Sequence, residues 1–431
     1  MAGQSTAVGA FDEVLKIRYE KGIVDALNQE QPVLNLMKRE TEGWSGKQVT
    51  FPVKLGRNFS AAATAEGAAI HDAGAQTYKD FVVPVKYNHG RIQLTAAVMK
   101  ASENSKGAFA RALGSEIDGL VLDLANYRGR VIHGYGVGPL CLVNTDPTTG
   151  TTITVDAPMG VAGSVNGAKY IQPGMFVAFI NPTGPAIRAG GARTVTTVAA
   201  DGASFDISAA CDAAVADNDW VVIAQSASAS AITSTTTNLE QMGLLGMVDG
   251  TTYVSTFHGI DRSTGVGTQL QATVIGSVGA LSADVIQRGI DSVYQRSRGK
   301  TSHLIMEHAT RRAYLVMMEN DRRYMNASLM KPDAGSAAAK MGDLRFGEIP
   351  IIADKDCPYG TIFGIEADTF TRWILTEGEW ADEIGAIFRF VANQDTYEAI
   401  YRIFDNFSCE NGGRNFRLDG ITVNAVVVHL P

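Results

Sequence analysis

The chain has 431 residues, enough for roughly two or three domains of about 150 residues each. It carries 45 acidic and 37 basic side chains, and the net charge of −8 excludes a nucleic-acid grip built on a global basic field. Charged residues make up only 19%, below the usual quarter, so much of the surface must be small, apolar or hydroxylated, a pattern that suits a surface covered by neighbours.

Residues 1–10 are small and polar and read as an extended lead-in. Phe11, Leu15, Tyr19, Ile23 and Leu27 then line one face of an amphipathic helix, which Gln29-Glu30-Gln31-Pro32 ends. This helix has too few apolar partners of its own and should dock on another element or subunit. Lys47 to Lys54 alternates as a strand, with Val49, Phe51 and Val53 on one face, and Pro52 marks it as an edge. The return strand runs from Tyr78 to Tyr87, with Phe81, Val83 and Val85 on one face and Pro84 giving the same edge character. Between them, Arg57 to Gln76 is rich in alanine and glycine, and includes Phe59, Glu66, His71 and Asp72. A two-stranded arm is marginal alone in water, so it is expected to lie on a neighbouring chain.

A second short run, Arg91 to Thr95, leads into a long helix. Ser105 stands at its N-cap position, and Phe109, Leu113, Ile117, Leu120, Val121 and Leu124 form one apolar stripe. The run Gly134-Tyr-Gly136-Val-Gly138-Pro139 stops it. Residues 140–230 change character, with short extended runs at 152–155, 175–180, 194–198, 204–207 and 220–223 separated by turn residues. They read as a small all-β module, a sandwich or partial barrel, followed by a Ser/Thr/Ala linker.

From Asn238 the plan becomes α+β. Ser282 caps a helix whose buried stripe is Val285, Ile286, Ile290, Val293 and Tyr294. His303 to Glu307 reads as a strand and Thr310 to Asn320 as a helix. Strands follow at 348–352, 361–363 and 370–375, then alternating runs over Tyr397–Phe407 and Ile421–Val428.

Catalytic and ligand-binding patterns fail their context tests. Gly299-Lys300-Thr301 lacks the upstream glycine of a phosphate-binding loop and follows a helix. His303, Glu307 and His308 do not have the spacing of a helical zinc motif. No G-x-S-x-G elbow occurs, and the glycines at 134, 136 and 138 follow a helix rather than a strand. His71 and Asp72 lack the rigid support an acid–base pair needs. The acidic run Glu377, Glu379, Asp382 and Glu383 reads as a solvated loop. Lys16, Arg18, Lys21 and the Lys38-Arg39 pair are candidates to meet nucleic acid, with docking under a neighbour as the alternative. Cys141, Cys211, Cys357 and Cys409 have neither zinc nor thioredoxin spacing and read as free thiols made in a reducing cytoplasm. No secretory signal and no membrane-length apolar run is visible. No enzyme activity, metal or cofactor is expected.

The order of these elements resembles the major capsid proteins of tailed bacteriophages, the Hong Kong 97 phage coat fold. Thr77–Ala101, the long helix ending at Gly134-Tyr-Gly-Val-Gly138, Leu281–Tyr324 and the stretch from Arg345-Phe-Gly-Glu-Ile-Pro350 to Gly420 carry the likeness. The resemblance implies an α+β fold with an N-terminal arm (1–46), an extended loop (47–96), a peripheral domain with its spine helix (97–139), an inserted small all-β domain (140–230), an apical domain (231–385) and a return to the peripheral domain (386–431). It implies a subunit that assembles with itself into hexamers and pentamers of an icosahedral head enclosing double-stranded DNA. It further implies scaffolding and portal partners, an optional decoration or cement protein, no membrane, assembly in the host cytoplasm and a final place in the virion. Inter-subunit contacts would then come from Phe11, Leu15, Ile23, Val49, Phe51, Val53, Arg57, Phe59, Glu66, His71, Asp72, Phe81, Val83 and Val85, with a peripheral-domain loop at Asn393, Gln394 and Asp395. Two departures matter. No lysine lies between Lys54 and Lys79, so the family's loop-lysine cross-link to an asparagine such as Asn393 is not expected. The long scaffolding extension of some members is also missing, which implies a separate scaffolding protein. The alternative is a tail or surface adhesion protein that binds host glycans through residues 140–230.

Overall fold

A computed structural model describes residues 31–42, 44, 46–58, 60–97, 106–161, 166–183, 186–188, 190–225, 237–322, 344–382 and 387–424, with backbone alone for 106–115, 186 and 319–322. The expected helix over Phe11–Leu27, Phe59, Ser105, Glu383, most of the 226–237 linker and the end of the last expected strand lie outside these residues.

In chain order the strands are β1 (Lys38–Glu40), β2 (Gln48–Lys54), β3 (Tyr78–Pro84) and β4 (Lys86–Thr95), followed by the long helix α1 (Lys106–His133). Next come β5 (Cys141–Val143), β6 (Thr152–Asp156), β7 (Phe176–Asn181), β8 (Ala186–Ile187), β9 (Arg193–Val198), β10 (Ser204–Ile207) and β11 (Trp220–Ile223). The short helix α2 (Leu244–Met247) precedes β12 (Thr256–Phe257), β13 (Ile260–Asp261) and β14 (Thr273–Ile275). Helix α3 (Ala283–Ser297), β15 (His303–Met306) and helix α4 (His308–Arg322) follow. The chain closes with β16 (Arg345–Phe346), β17 (Ile349–Ala353), β18 (Ile362–Ile365), β19 (Phe370–Trp380), β20 (Arg389–Phe390), β21 (Thr396–Cys409) and β22 (Phe416–Leu418).

Three larger sheets organise the molecule. In the first, β21 pairs along its length with β4 on one edge and with β19 and β20 on the other. Helix α1 lies on one face of it. Ile117 and Leu124 are buried against Ile92, Leu94, Ala399, Tyr401 and Ile403, with Leu120 and Val121 partly buried beside them. These four helix residues are the described part of the expected stripe; the side chains of Phe109 and Leu113 lie outside it. The strand at Gly90 allows the close approach, since a Cβ there would lie 2.8 Å from the Leu120 methyl. Arg130 falls in the last turn of α1, where positive charge complements the helix dipole.

The second sheet is built from β5 to β11. Its order is β11-β5-β6-β10-β9-β7-β8, and the additional pairing of β11 with β7 closes it into a barrel. Alternate residues such as Ile153, Val155, Val177, Phe179, Val195, Phe205 and Val221 point inward and fill it. The expected runs coincide with strands, while β5 and β8 are additions that short length concealed.

In the third sheet, β14-β22-β18-β15-β17-β16, helix α3 packs through Ile286 and Val293. Ser282 caps α3, accepting a hydrogen bond from the Val285 amide at 3.4 Å. Tyr294 differs from the expected stripe and is 59% exposed. It stands about 100° round the helix from Val293, and the buried position belongs to Gly289, where the Phe416 ring leaves no room for a Cβ.

The sheets cross the expected boundary at 385/386. β19, from the 231–385 stretch, pairs with β21, whereas β22, from the last stretch, sits inside the third sheet. Such pairings join residues far apart in sequence, which alternation cannot reveal.

Candidate functional site

The long hairpin of β2 and β3 is fully paired from Gln48↔Pro84 to Lys54↔Tyr78. Beyond it the ladder thins to Leu55 N and Gly56 N on the Thr77 carbonyl (2.9 and 3.1 Å) and Asn58 Nδ2 on the Gly74 carbonyl (2.7 Å). Residues 61–76 are all exposed, including Glu66, His71 and Asp72, and Arg57 is exposed too. His71 makes one long contact, Nε2 to the Ala63 carbonyl at 3.4 Å, and does not join Asp72 in any catalytic arrangement.

The root of the hairpin behaves differently. Val49, Phe81 and Val83 are buried in the chain's own largest core beside Leu244, Phe257 and Phe407, and Val85 is buried as well. Phe51 stacks on Trp373 at 5.5 Å, and Phe81 meets Phe257 edge-on at 5.5 Å. The expectation that these residues serve a neighbouring chain is corrected for the root: its apolar face is satisfied internally, because the α2–β13 segment folds up against it. Of the expected arm residues, the exposed ones are those at the tip.

Asn393, Gln394 and Asp395 form the turn from β20 to β21, with Asn393 in the left-handed region at φ 63°. The turn is pinned to the end of β4 by Ala96 N on the Asp395 carbonyl at 3.0 Å and by Gln93 to Gln394 at 3.4 Å.

Sequence reading missed the buried charges that lock α1 to the body. Asp405, fully buried, accepts from Arg128 Nη2 (2.8 Å), Arg372 Nε (2.8 Å) and Gln241 Nε2 (2.9 Å). Burial alone would raise its pKa, but the two guanidiniums override this and hold the carboxyl well below the usual range. Two residues on, Arg130 pairs with Glu240, which Tyr127 also reaches at 3.3 Å, and His133 Nε2 lies 3.1 Å from Asp354. Under the third sheet, Arg417 donates to Asp249 (3.2 Å), Asp419 (2.7 Å) and the Val248 carbonyl (2.8 Å). The signal available in the sequence was spacing alone: Arg128 and Asp405 are 277 positions apart.

Other suspected groups have structural partners. Glu307 accepts from the Ala309 amide and so caps α4, which accounts for the His303–Glu307–His308 pattern. Lys38 bridges Glu40 at 3.2 Å, and Arg39 pairs with Glu377. Glu379 lies 3.7 Å from Arg402, so this part of the acidic run is answered by arginines.

No family model and no curated protein matches the sequence. Among solved structures, a chain of the cyanophage A-1(L) capsid asymmetric unit is 10% identical and superposes with a TM-score of 0.54, covering 91% of this chain and 93% of that one. The capsid of Myoviridae phage XM1 gives 9% identity and a TM-score of 0.43 over 90% and 91%. The capsid of a native GTA particle gives 9% and 0.41 over 93% and 91%. This chain therefore shares the fold of the cyanophage capsid protein over nearly its whole length.

Proposed function

We propose that this chain is the major capsid protein of a tailed bacteriophage, which assembles with itself into the icosahedral head enclosing double-stranded DNA. The observation that carries this reading is the cyanophage capsid fold, matched over 91% of this chain and 93% of the other. The hairpin supports it further: an exposed tip poor in apolar residues stands on a rigid root, as an element meant to lie on another subunit would.

In this reading the tip, with Arg57, Phe59, Glu66, His71 and Asp72, and the N-terminal Phe11, Leu15 and Ile23 contact neighbouring subunits. Many weak contacts then add through multivalency. Helix α1 is the spine, and the barrel of residues 141–223 is an inserted module on the subunit. Scaffolding and portal proteins take part in assembly, a cement protein is an optional addition, DNA is enclosed without sequence-specific contacts, and the mature location is the virion. The tip holds no lysine between Lys54 and Lys79, so the shell is held by non-covalent contacts there. The glycan-binding alternative draws on the barrel alone, and the fold match over both whole chains favours the shell.

Particle size tests the proposal. Negative-stain microscopy and sedimentation of the chain, expressed with and without scaffolding protein, should show closed shells or capsomer rings. A monodisperse monomer under both conditions would refute it.

A further inference from the structure

The root of the hairpin is held by a turn that inserts between it and the first sheet. His258 and Gly259 link the paired residues Phe257 and Ile260, and both have positive φ, 47° and 86°. Left-handed backbone at both central positions defines a tight hairpin turn that favours Asn-Gly, so histidine is an unusual occupant. The His258 carbonyl accepts from the Val82 amide of β3 at 2.9 Å, and its ring Nε2 lies 3.0 Å from the Phe407 carbonyl of β21. The ring also touches Phe81 at 4.9 Å and Phe257 at 4.4 Å between centroids. One residue thus ties the hairpin to the sheet that α1 stiffens.

The charges acting on this ring are both positive: Arg262, just beyond β13, and Lys86, at the start of β4. Their own counter-charges are Asp249, 3.8 Å from Arg262, and Glu240, which acts on Lys86. We propose that His258 is an acid-released latch, whose protonation opens the Val82–His258–Phe407 junction and frees the hairpin from the sheet. Burial, the largest cause, pushes the imidazole pKa down to about 4, aided by Arg262 and Lys86 and opposed by its hydrogen bonds to the Phe407 and Val82 backbone. The folded value lies below the ordinary ~6.5. The latch is therefore fully closed above that pH and loses stability as pH falls toward about 4. At pH 5 the opening constant should be roughly thirtyfold higher than at pH 8.

The release is a property of the single chain and does not depend on the shell reading. The test is hydrogen exchange by mass spectrometry on the unassembled full-length protein, corrected for intrinsic rates, at pH 8 and pH 5. The Val82 amide, resolved with overlapping peptides across Tyr78–Lys86, should show the thirtyfold effect in the wild type and lose it in His258→Asn, which keeps the left-handed turn and cannot titrate. Equal acid responses in the two proteins would overturn the latch. Exchange at the imidazole C2 position measures the same ring directly in the wild type, should the variant not fold. A midpoint near 4 supports the proposal and one near 6.5 sinks it. Failure of the chain to form shells would leave both results standing.

Discussion

Asp405→Asn removes the one negative charge between two buried guanidiniums while nearly preserving shape. In the wild type, Arg128 and Arg372 are each 3% exposed, and both donate to Asp405 at 2.8 Å. Removing one partner of such a cluster leaves an uncompensated buried charge, which costs about 3–5 kcal/mol. Here two cations lose their partner, although Arg372 keeps Glu377 at 3.8 Å, so the upper half of that range is expected. Each 1.4 kcal/mol is about tenfold in an opening constant. Slow amides of α1 and β21 should therefore exchange about 10³–10³·⁵ times faster in the variant. Arg128→Met should cost less, because Asp405 retains Arg372 and Gln241. The double variant should cost less than the sum, the mark of a shared network. Exchange rates within a factor of three of wild type would refute the view that this carboxylate locks α1 to the sheet. The same group sets an acid limit: its pKa is depressed, so its contribution is present above the ordinary carboxylate value of ~3.9 and lost as pH falls through and below it.

Deleting residues 58–76 should leave a folded subunit, since those residues make few contacts with the body, yet abolish particle formation; wild-type-like shells on micrographs would end the hairpin hypothesis. Gly364→Ala should destabilise by about 1–3 kcal/mol or more, because a Cβ there would collide with the buried Phe416 ring; an unchanged thermal midpoint would contradict this packing. Cys141, Cys357 and Cys409 are buried, and burial raises their pKa values, Cys409 to about 11. A thiol reagent at pH 8 should leave these three unmodified in the native protein and label them after denaturation.

The sequence alone determined the local elements. Alternation placed Val49, Phe51 and Val53 on one face of a strand, and helical spacing placed Ile117 and Leu124 on the buried side of a long helix. The turn residues at 172–174, 201–202 and 217–219 separated barrel strands correctly. These signals are legible because they depend on neighbours within a few positions, where backbone geometry fixes the period.

Tertiary structure decided what faces these elements meet. Nothing in the run Tyr78–Val85 distinguishes a face that packs on its own core from one kept for another chain. That choice was made when Leu244, Phe257 and Phe407 converged on Phe81. Barrel closure needed the β7–β11 pairing, which joins strands some forty residues apart through backbone groups that carry no side-chain code. The same holds for Asp405, Arg128 and Arg372, which read as ordinary polar residues until the fold removes water from them. Local pattern is a property of the chain, whereas burial and charge pairing are properties of positions that only distant contacts create.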